Sequence, residues 1–270
     1  RLRRRLAASP VGLMATLPLR VSFVAKRTWV VAKESAGWLV RSREYTNFTY
    51  DLSEGNLEHL AWYVAEVAGV PVAAARRYIG EIDADDELRH HIADITSHTD
   101  HRWVADPVAR YGRRVGWYAL VRALKPEHVV ETGTDKGLSA CLLAAAVLRN
   151  GRGRVTTIDV NADAGFLIGG RYADVVDLRI GDSLAVLEGL DADDVGVFIH
   201  DSWHTREHEL AEFAAIADHL VAGALVLSDN CHVTDALPSW AESRGWRFLY
   251  FQEQPTRHWY PGGGIGAAWV

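Results

Sequence analysis

The chain has 270 residues, of which 49% are hydrophobic and 24% are charged, and its formal net charge is -6. This length and apolar content suit one large domain, or one domain with an appendage, and they exclude a disordered chain. The sequence has no internal period of the kind that builds a repeat array. Its two cysteines, Cys141 and Cys231, are too few for a disulfide scaffold, so we expect a cytoplasmic protein.

Charge is distributed unevenly along the chain. Residues 1–44 contain ten Lys/Arg and two Asp/Glu, a sum of +8, which leaves 19 basic and 33 acidic residues, or -14, for the rest. A nucleic-acid backbone is bound by clustered positive charge. The acidic main body therefore argues against general nucleic-acid binding.

The basic N-terminal segment, residues 1–44, is predicted to contain an amphipathic helix between Phe23 and Val40. Pro10, Pro18 and nearby basic residues interrupt its apolar stretches, so no run reaches the roughly 18–20 residues that span a bilayer. The sequence leaves several roles open for this helix. It could contact an anionic membrane surface, a partner such as a second copy in a homodimer, an anionic substrate, or its own domain.

A helical cap region is predicted for residues 45–110. A helix is expected after Ser53 or Asn56, another through Val72–Ile79, and a third through residues 108–124. The polar residues 83–103 between them contain four histidines, but the spacing fits no zinc site. We therefore expect a surface or substrate-facing loop there.

From Glu127 onward, short apolar strands alternate with helices, which predicts an α/β fold: a Rossmann-like, doubly wound sheet of seven strands, the last one antiparallel. This domain is expected to span residues 111–270, with its ligands at the carboxyl ends of the strands. The predicted strands are 128–131, 155–159, 175–180, 195–200, 224–228, 246–251 and 265–270. The predicted helices are 138–148, 184–190, 206–220 and 234–244.

Three successive strands end in residues that suit a nucleoside ligand. The first is followed by Glu131-Thr132-Gly133-Thr134-Asp135-Lys136-Gly137, whose glycines allow a tight turn and a close backbone approach to a ligand. Asp159 ends the second strand, where an acid can accept hydrogen bonds from both ribose hydroxyls, and Gly181-Asp182 follows the third. Each aspartate alone would more simply cap the next helix. The three sites in order favour a ligand.

These residues resemble the class I methyltransferases that use S-adenosylmethionine (SAM), over roughly residues 110–270. The resemblance implies SAM as the cofactor, with Gly133 near its amino-acid part, Asp159 at the ribose and Asp182 near the adenine. The cofactor-binding residues predicted on this basis are Glu131, Gly133, Thr134, Gly137, Asp159, Asp182 and Ser183.

The fourth and fifth strands end in two carboxylates, Asp201 and Asp229, and Asn230 follows the second. Because one right-handed crossover separates these strands, the carboxylates should emerge side by side. Two carboxylates and an amide oxygen form a ligand set typical of Mg²⁺. The alternative is that each aspartate caps a helix or pairs with an arginine.

The same positions resemble the divalent-metal-dependent O-methyltransferases of the catechol and caffeoyl-CoA type. His204, three positions beyond Asp201, stands where the catechol enzymes have a lysine, and related sugar and macrolide O-methyltransferases often have histidine there. The resemblance implies Mg²⁺ or another divalent cation bound by Asp201, Asp229 and Asn230. It also implies His204 as general base, with Asp201 as a second catalytic residue.

Tryptophans are candidates for the wall of an acceptor pocket, because aromatic faces stack on sugar CH surfaces and on phenols alike. The acceptor therefore stays open between a sugar, small or oligosaccharide, and a phenolic or polyketide compound. A non-catalytic SAM-binding scaffold is a third alternative, against which the intact set of site residues argues. The candidate tryptophans are Trp62, Trp103, Trp203, Trp240 and Trp259.

Overall fold

The computed structural model describes residues 9–101 and 104–270, which divide into two compact units. The first unit contains the chain up to Ser42 together with Arg257–Tyr260. The second contains Arg43–Thr256 and Pro261–Val270.

The first unit is built on one long helix, α1 (Pro10–Arg41), which includes the helix predicted between residues 23 and 40. Ser9 caps its start by accepting a hydrogen bond from the Gly12 amide (3.2 Å). Near its end, the Trp38 ring packs edge-on against His258 and Trp259, with centroids 6.1 and 5.4 Å away. No helix among the described residues is both long enough and apolar enough to cross a membrane.

The second unit begins with four helices, α2 (Glu54–Ala68), α3 (Val72–Asp83), α4 (Asp86–His98) and α5 (Arg114–Leu124). Ser53 starts α2 by accepting from the Asn56 amide (3.3 Å), as its sequence predicts.

The loop predicted for residues 83–103 is wrong over most of its length, because α4 occupies Asp86–His98. Asp85 accepts from the Leu88 amide (2.9 Å) and so starts the helix. Leu88 and Ile92 form its buried side. This apolar face is narrow, and the surrounding histidines and acidic residues obscure its helical periodicity in the sequence.

The main sheet has seven strands in the order β4-β3-β2-β5-β6-β9-β7, and β9 runs antiparallel to both of its neighbours. The predicted fold is therefore confirmed. The strands are β2 (His128–Thr132), β3 (Arg154–Asp159), β4 (Val176–Ile180), β5 (Val195–His200), β6 (Leu220–Asp229), β7 (Arg247–Gln252) and β9 (Gly264–Trp269). A separate pair is formed by β1 (Asp51–Leu52) and β8 (Pro255–Thr256).

Helices connect and flank the strands of the main sheet. They are α6 (Leu138–Asn150), α7 (Gly170–Ala173), α8 (Ser183–Glu188), α9 (Arg206–Ile216) and α10 (Ala236–Ser243), with a 3₁₀ turn at Ala217–His219. The central strands are buried, and Phe198 and Val226 pack with Phe213 of α9 and Trp240 of α10 in one apolar core. The polar residues that end β2, β3, β5 and β6 are thus held at one edge by strands that cannot shift without disrupting that core.

Candidate functional site

A pocket of about 470 Å³ lies at the carboxyl ends of the five neighbouring strands β2 to β6. This volume is within the usual range of small-molecule sites. Of the residues predicted to form the site, eight line the pocket: Gly133, Thr134, Asp159, Asp182, Ser183, Asp201, His204 and Asn230. The other three, Glu131, Gly137 and Asp229, are not among its lining residues.

Gly133 is required by a close approach of two chain segments. It has φ 90°, and a Cβ there would collide with the backbone carbonyl of Asp201. The Asp201 amide donates to the Thr132 carbonyl (2.9 Å), which locks the ends of β2 and β5 together. From the sequence we predicted that a ligand approaches this glycine closely. The group that excludes a side chain here is instead the backbone of Asp201.

The two predicted nucleoside-binding aspartates are used differently. Asp159 accepts from the backbone amides of Asp135 (2.8 Å) and Asn161 (2.9 Å), one on each carboxylate oxygen, which leaves a lone pair on each oxygen for a ligand hydroxyl. Asp182 caps α8 by accepting from the Ala185 amide (3.0 Å). The capping alternative therefore holds for Asp182, although the residue also lines the pocket.

Glu131 and Gly137 support the pocket wall from behind. Glu131 is fully buried and accepts from the Thr157 hydroxyl (2.7 Å), and burial raises its pKa to about 7. Gly137 has φ 88° and leads into α6, and a Cβ there would press on Ile168. Both residues position the turn that carries Gly133 and Thr134.

SAM fits the chemistry of this pocket. Its wall presents the carboxyl groups of Asp135, Asp159, Asp182 and Asp201, which suit a ligand that carries a sulfonium and an ammonium charge. Asp159 retains acceptor capacity for a ribose. The described residues therefore match the charge and the hydrogen-bonding groups of the cofactor that the sequence implies.

Arg113 fills the space beside the two carboxylates that were predicted to bind metal. Its guanidinium donates a hydrogen bond from Nη2 to Oδ2 of Asp229, and Nε lies in ion-pair contact with Oδ1 of the same carboxylate. Nη2 also lies 3.8 Å from Oδ1 of Asp201, and Nη1 lies 4.0 Å from Oε2 of Glu253. The Trp117 ring lies beside the guanidinium, 5.7 Å from centroid to Cζ.

The pKa values of the two aspartates shift in opposite directions because Arg113 lies closer to Asp229 than to Asp201. Burial, and next the Asp229 carboxylate, raise the pKa of Asp201 well above its usual value. Burial acts on Asp229 as well, but the Arg113 guanidinium outweighs it and lowers the pKa of that carboxyl. The Arg113 guanidinium therefore favours the ionised form of Asp229, whereas burial and the neighbouring carboxylate favour the neutral form of Asp201.

Asn230, the third predicted ligand, presents its amide nitrogen to the cluster. With φ 47°, the residue directs Nδ2 to Oδ2 of Asp229 (2.9 Å) and to Nε2 of His204 (3.2 Å). Its Oδ1 is turned toward Gly263, where a Cβ would collide with it. An amide N–H is a donor and binds no cation.

The predicted Mg²⁺ site does not fit this geometry. The ligand atoms of Asp201, His204 and Asp229 converge within 4.8 Å of one another, as the spacing predicts. However, Arg113 occupies both oxygens of Asp229, and Asn230 offers no oxygen. Pairing of an aspartate with an arginine was the alternative that the sequence left open, and Asp229 and Arg113 form such a pair.

His204 is neutral and faces the pocket. Burial lowers its pKa to about 4, against the opposing pull of the Asp229 carboxylate. Because Asn230 donates to Nε2, the hydrogen of the neutral ring is assigned to Nδ1, and the one lone pair of Nε2 accepts this hydrogen bond. Nε2 lies 3.7 Å from Oδ1 of Asp201, and Nδ1 lies 4.0 Å from Oε1 of the buried Glu209.

A buried carboxylate network lies behind the pocket and was missed by the sequence. Its centre is Glu212, which is fully buried. Burial opposes its ionisation, but hydrogen bonds hold its pKa at about 2. Its partners are Thr132 Oγ1 (2.7 Å), Ser183 Oγ (2.5 Å), Ser202 Oγ (2.7 Å), His200 Nδ1 (2.6 Å) and His208 Nε2 (3.0 Å).

The segment from Arg43 to Leu52 forms part of the site. The buried Glu44 accepts from Lys136 Nζ (3.2 Å), in the turn after β2. Asn47 lines the main pocket, and the Tyr50 hydroxyl donates to Glu253 (2.9 Å). The segment thus supports both the cofactor-side turn and the carboxylate that faces Arg113.

Arg113 is the main residue that sequence reasoning missed, and a signal for it exists. Arg113 and Arg114 stand at the start of α5, where the helix dipole disfavours positive charge. They also precede a run of buried apolar residues. Two arginines in such a place indicate that carboxylates face them, although the sequence does not show which ones.

The candidate tryptophans lie in different places. Trp203 lines the main pocket and is 69% exposed, so it is available to an acceptor. Trp240 belongs to the apolar core, which excludes it from an acceptor wall. Trp62 borders a different surface hollow, and Trp259 packs with Trp38. Trp103 lies outside the described residues.

Comparison with known proteins agrees with the fold. Residues 130–231, less than half of the chain, match a protein family described as a methyltransferase domain. The O-methyltransferase TomG of Streptomyces achromogenes, involved in tomaymycin synthesis and solved with SAM, is 19% identical, with 69% of this chain and 90% of that chain covered and a TM-score of 0.52. An O-methyltransferase from Bacillus cereus in complex with SAH is 18% identical, covers 72% and 96% of the two chains, and has a TM-score of 0.53. No curated protein sequence matches. These likenesses establish the methyltransferase fold.

Proposed function

We propose that this protein is a SAM-dependent O-methyltransferase that methylates a hydroxyl of a sugar acceptor. The observation that carries the proposal is the neutral His204. Its unprotonated Nε2 belongs to the same pocket wall as Asp159 and Gly133, the residues assigned to the cofactor. A base and a methyl donor in one pocket are the minimum that O-methylation of an alcohol requires.

SAM, when bound, supplies an electrophilic methyl group on a sulfonium leaving group. The acceptor hydroxyl is held beside His204 and the carboxyl of Asp201. As the hydroxyl oxygen forms its bond to the methyl carbon, the carbon–sulfur bond breaks with its electron pair passing to sulfur. Nε2 takes the hydroxyl proton on the lone pair that otherwise accepts from Asn230, so the acceptor hydroxyl displaces that hydrogen bond. Asn230 and Asp201 orient the ring through contacts to Nε2, and Trp203 partly covers the acceptor side.

The low basicity of His204 places proton transfer late in the reaction. A ring whose pKa is about 4 does not ionise an alcohol in the ground state. The hydroxyl becomes acidic only as its oxygen bonds to the methyl, and the neutral ring then receives the proton. Alignment of acceptor and donor in a partly closed pocket supplies much of the remaining rate enhancement.

A sugar acceptor is supported by a smaller pocket of about 210 Å³ that shares Asp135 and Asn161 with the main one. Tyr45 contributes to its wall, as do the stacked rings of His101 and Phe166, 5.0 Å apart. Aromatic faces with polar neighbours suit a carbohydrate.

The sequence block at residues 43–52 and the histidine at position 204 resemble the mycobacterial 1-O-methyltransferase of methylmannose polysaccharide synthesis. That resemblance implies the 1-hydroxyl of a 3-O-methylmannoside as the acceptor. The Mg²⁺ dependence that the family resemblance implies is not part of the proposal, because Arg113 fills the place that the ion would take.

An acceptor screen tests the proposal. Purified full-length protein is incubated with methyl-labelled SAM and, separately, methylated mannosides, unmethylated mannosides, catechols and caffeoyl derivatives, and products are identified by mass spectrometry. Transfer to a mannoside supports the proposal, whereas transfer only to phenols favours a natural-product enzyme. Tight SAM binding without transfer to any hydroxyl favours a scaffold.

A further inference from the structure

We propose that Arg113 takes the place of a divalent cation at the paired carboxylates, so that this site uses a built-in cation and binds no metal there. The replacement of a cation by Arg113 concerns only this chain's side chains, whereas the effect of Arg113 on catalysis rests on the proposed function. The guanidinium donates a hydrogen bond to one oxygen of Asp229, contacts the other as an ion pair, and lies 3.8 Å from Asp201.

The geometry is that of a fixed ion pair. Nη2 of Arg113 donates a charge-assisted hydrogen bond to Oδ2 of Asp229, and such a bond is stronger than one between neutral groups. The side chain of Asp229 is fully buried and that of Arg113 is 7% exposed, so water does not compete for either group. Asn230 donates a third hydrogen bond to the same carboxylate. Asp229 therefore has little capacity left for another cation.

Arg113 is also anchored on its other sides. Its backbone amide donates to Oε1 of Glu253 (2.8 Å), and Oε2 of Glu253 accepts from the Gly263 amide (3.0 Å) and the Tyr50 hydroxyl (2.9 Å). The ring of Trp117 lies beside the guanidinium. Bringing a metal to Asp229 would require Arg113 to leave this set of contacts and to lose its counter-charge in a buried place.

The charge of Arg113 also disfavours a metal ion at the paired carboxylates. An arginine stays protonated at every pH at which the protein is folded, so its positive charge is permanent. A divalent cation between Asp201 and Asp229 would sit next to that charge in a region of low dielectric constant, where like charges repel strongly. The two carboxylates are therefore better neutralised by the permanent charge of Arg113 than by an exchangeable divalent cation.

In the proposed reaction, Arg113 fixes the positions of the two aspartates. Arg113 touches neither pocket nor acceptor, but it holds Asp229 and Asp201, and Asp201 lies 3.7 Å from the Nε2 of His204. It is therefore a positioning residue. It fixes the carboxyl group beside the base.

Metal binding by full-length protein tests the inference directly. Mn²⁺ binding is measured by electron paramagnetic resonance, and thermal unfolding is recorded with MgCl₂ and with EDTA. The wild type is expected to show no saturable Mn²⁺ site and the same melting temperature in both solutions. Arg113→Met keeps an unbranched, largely apolar side chain, removes the charge and frees both carboxylates from the guanidinium. It should show a saturable Mn²⁺ site that the wild type lacks.

Matched variants make the outcome interpretable. Arg122→Met removes a partly buried arginine whose partners, Glu81 and Asn150, lie elsewhere, and it should not create Mn²⁺ binding. Saturable Mn²⁺ binding by the wild type that Asp229→Asn abolishes would overturn the inference, as would a folded Arg113→Met protein that takes up no Mn²⁺. If Arg113→Met does not fold, the wild-type measurement still decides.

Activity separates this inference from the proposed function. Methyl transfer that persists in excess EDTA supports both, and transfer that requires Mg²⁺ overturns the inference while leaving an O-methyltransferase. Absence of transfer to every acceptor overturns the proposed function, but the Mn²⁺ and melting measurements remain valid because they require no turnover.

Discussion

Glu212 and His200 form a fully buried pair, in which Oε2 of Glu212 lies 2.6 Å from Nδ1 of His200. The pair joins the end of β5 to the middle of α9. Because His200 directly precedes Asp201, the position of the Asp201 carboxyl depends on this contact. The pair lies behind the pocket and supports its wall without lining it.

Glu212→Gln is expected to destabilise the protein and to reduce its acid sensitivity. The folded-state pKa is about 2 and the usual pKa of a glutamate is 4.5, so the ionised side chain stabilises the fold above pH 4.5, and this contribution is lost as the pH falls toward 2. The shift corresponds to about 3 kcal/mol. Urea unfolding between pH 3 and neutrality measures it, with the exposed Glu188→Gln as the control. An equal slope of stability against pH in wild type and Glu212→Gln would contradict this role.

Gly133→Ala is expected to cost more stability than a positive φ alone explains. Gly133 has φ 90° and no room for a Cβ, whereas Gly151 has φ 67° and open space around it. Gly151→Ala should therefore cost about 1 kcal/mol, and Gly133→Ala more than about 3 kcal/mol, because Asp201 must also move. Chemical denaturation of both variants gives the difference. Equal losses would show that the contact with Asp201 relaxes freely.

Lys136→Met should be destabilising because it removes the cation beside the buried Glu44 carboxylate, which keeps its hydrogen bonds from Thr49. The two side chains are 6% and 1% exposed and 3.2 Å apart. Removing one member of a buried pair costs about 3 to 5 kcal/mol, whereas replacing both often costs much less. The double variant Glu44→Gln/Lys136→Met should therefore be more stable than Lys136→Met alone, as measured by thermal unfolding. A double variant that is less stable by the sum of both single losses would argue against the pair.

The fold and the location of the site follow from the sequence because both depend on local patterns. Alternating strands and helices define the sheet, and polar residues at strand ends mark its edge. Asp159, Asp201 and His204 could therefore be assigned to one pocket without coordinates.

The chemistry of the carboxylates could not be predicted in the same way. Arg113 precedes Asp229 by 116 residues, and no periodicity connects them. Whether paired carboxylates hold a metal or an arginine depends on which cation the fold brings between them, and that is a tertiary property. The orientation of the Asn230 amide is likewise set by its neighbours and not by its type.

His204→Gln is expected to reduce methyl transfer by about 10² to 10⁴-fold, the usual contribution of a general base, while SAM binding stays unchanged. Turnover with the acceptor found in the screen and calorimetric titration with SAM measure the two effects. His98→Gln is the control, because His98 is exposed on α4 and distant in sequence from the site. Equal losses of SAM affinity and turnover would indicate a structural role.

The pH profile of kcat separates a base from a structural histidine. The pKa of His204 is about 4, so the ring is neutral and competent from about pH 5 upward, and protonation removes activity only as the pH falls toward 4. We therefore expect a flat rate between pH 5.5 and 8, with a decline on the acid side that begins below the usual histidine range. Stability measured over the same interval distinguishes this decline from acid unfolding. An inflection near pH 6.5 that disappears in His204→Gln would show that the ring titrates like an exposed histidine, and the buried environment derived for it would then be wrong.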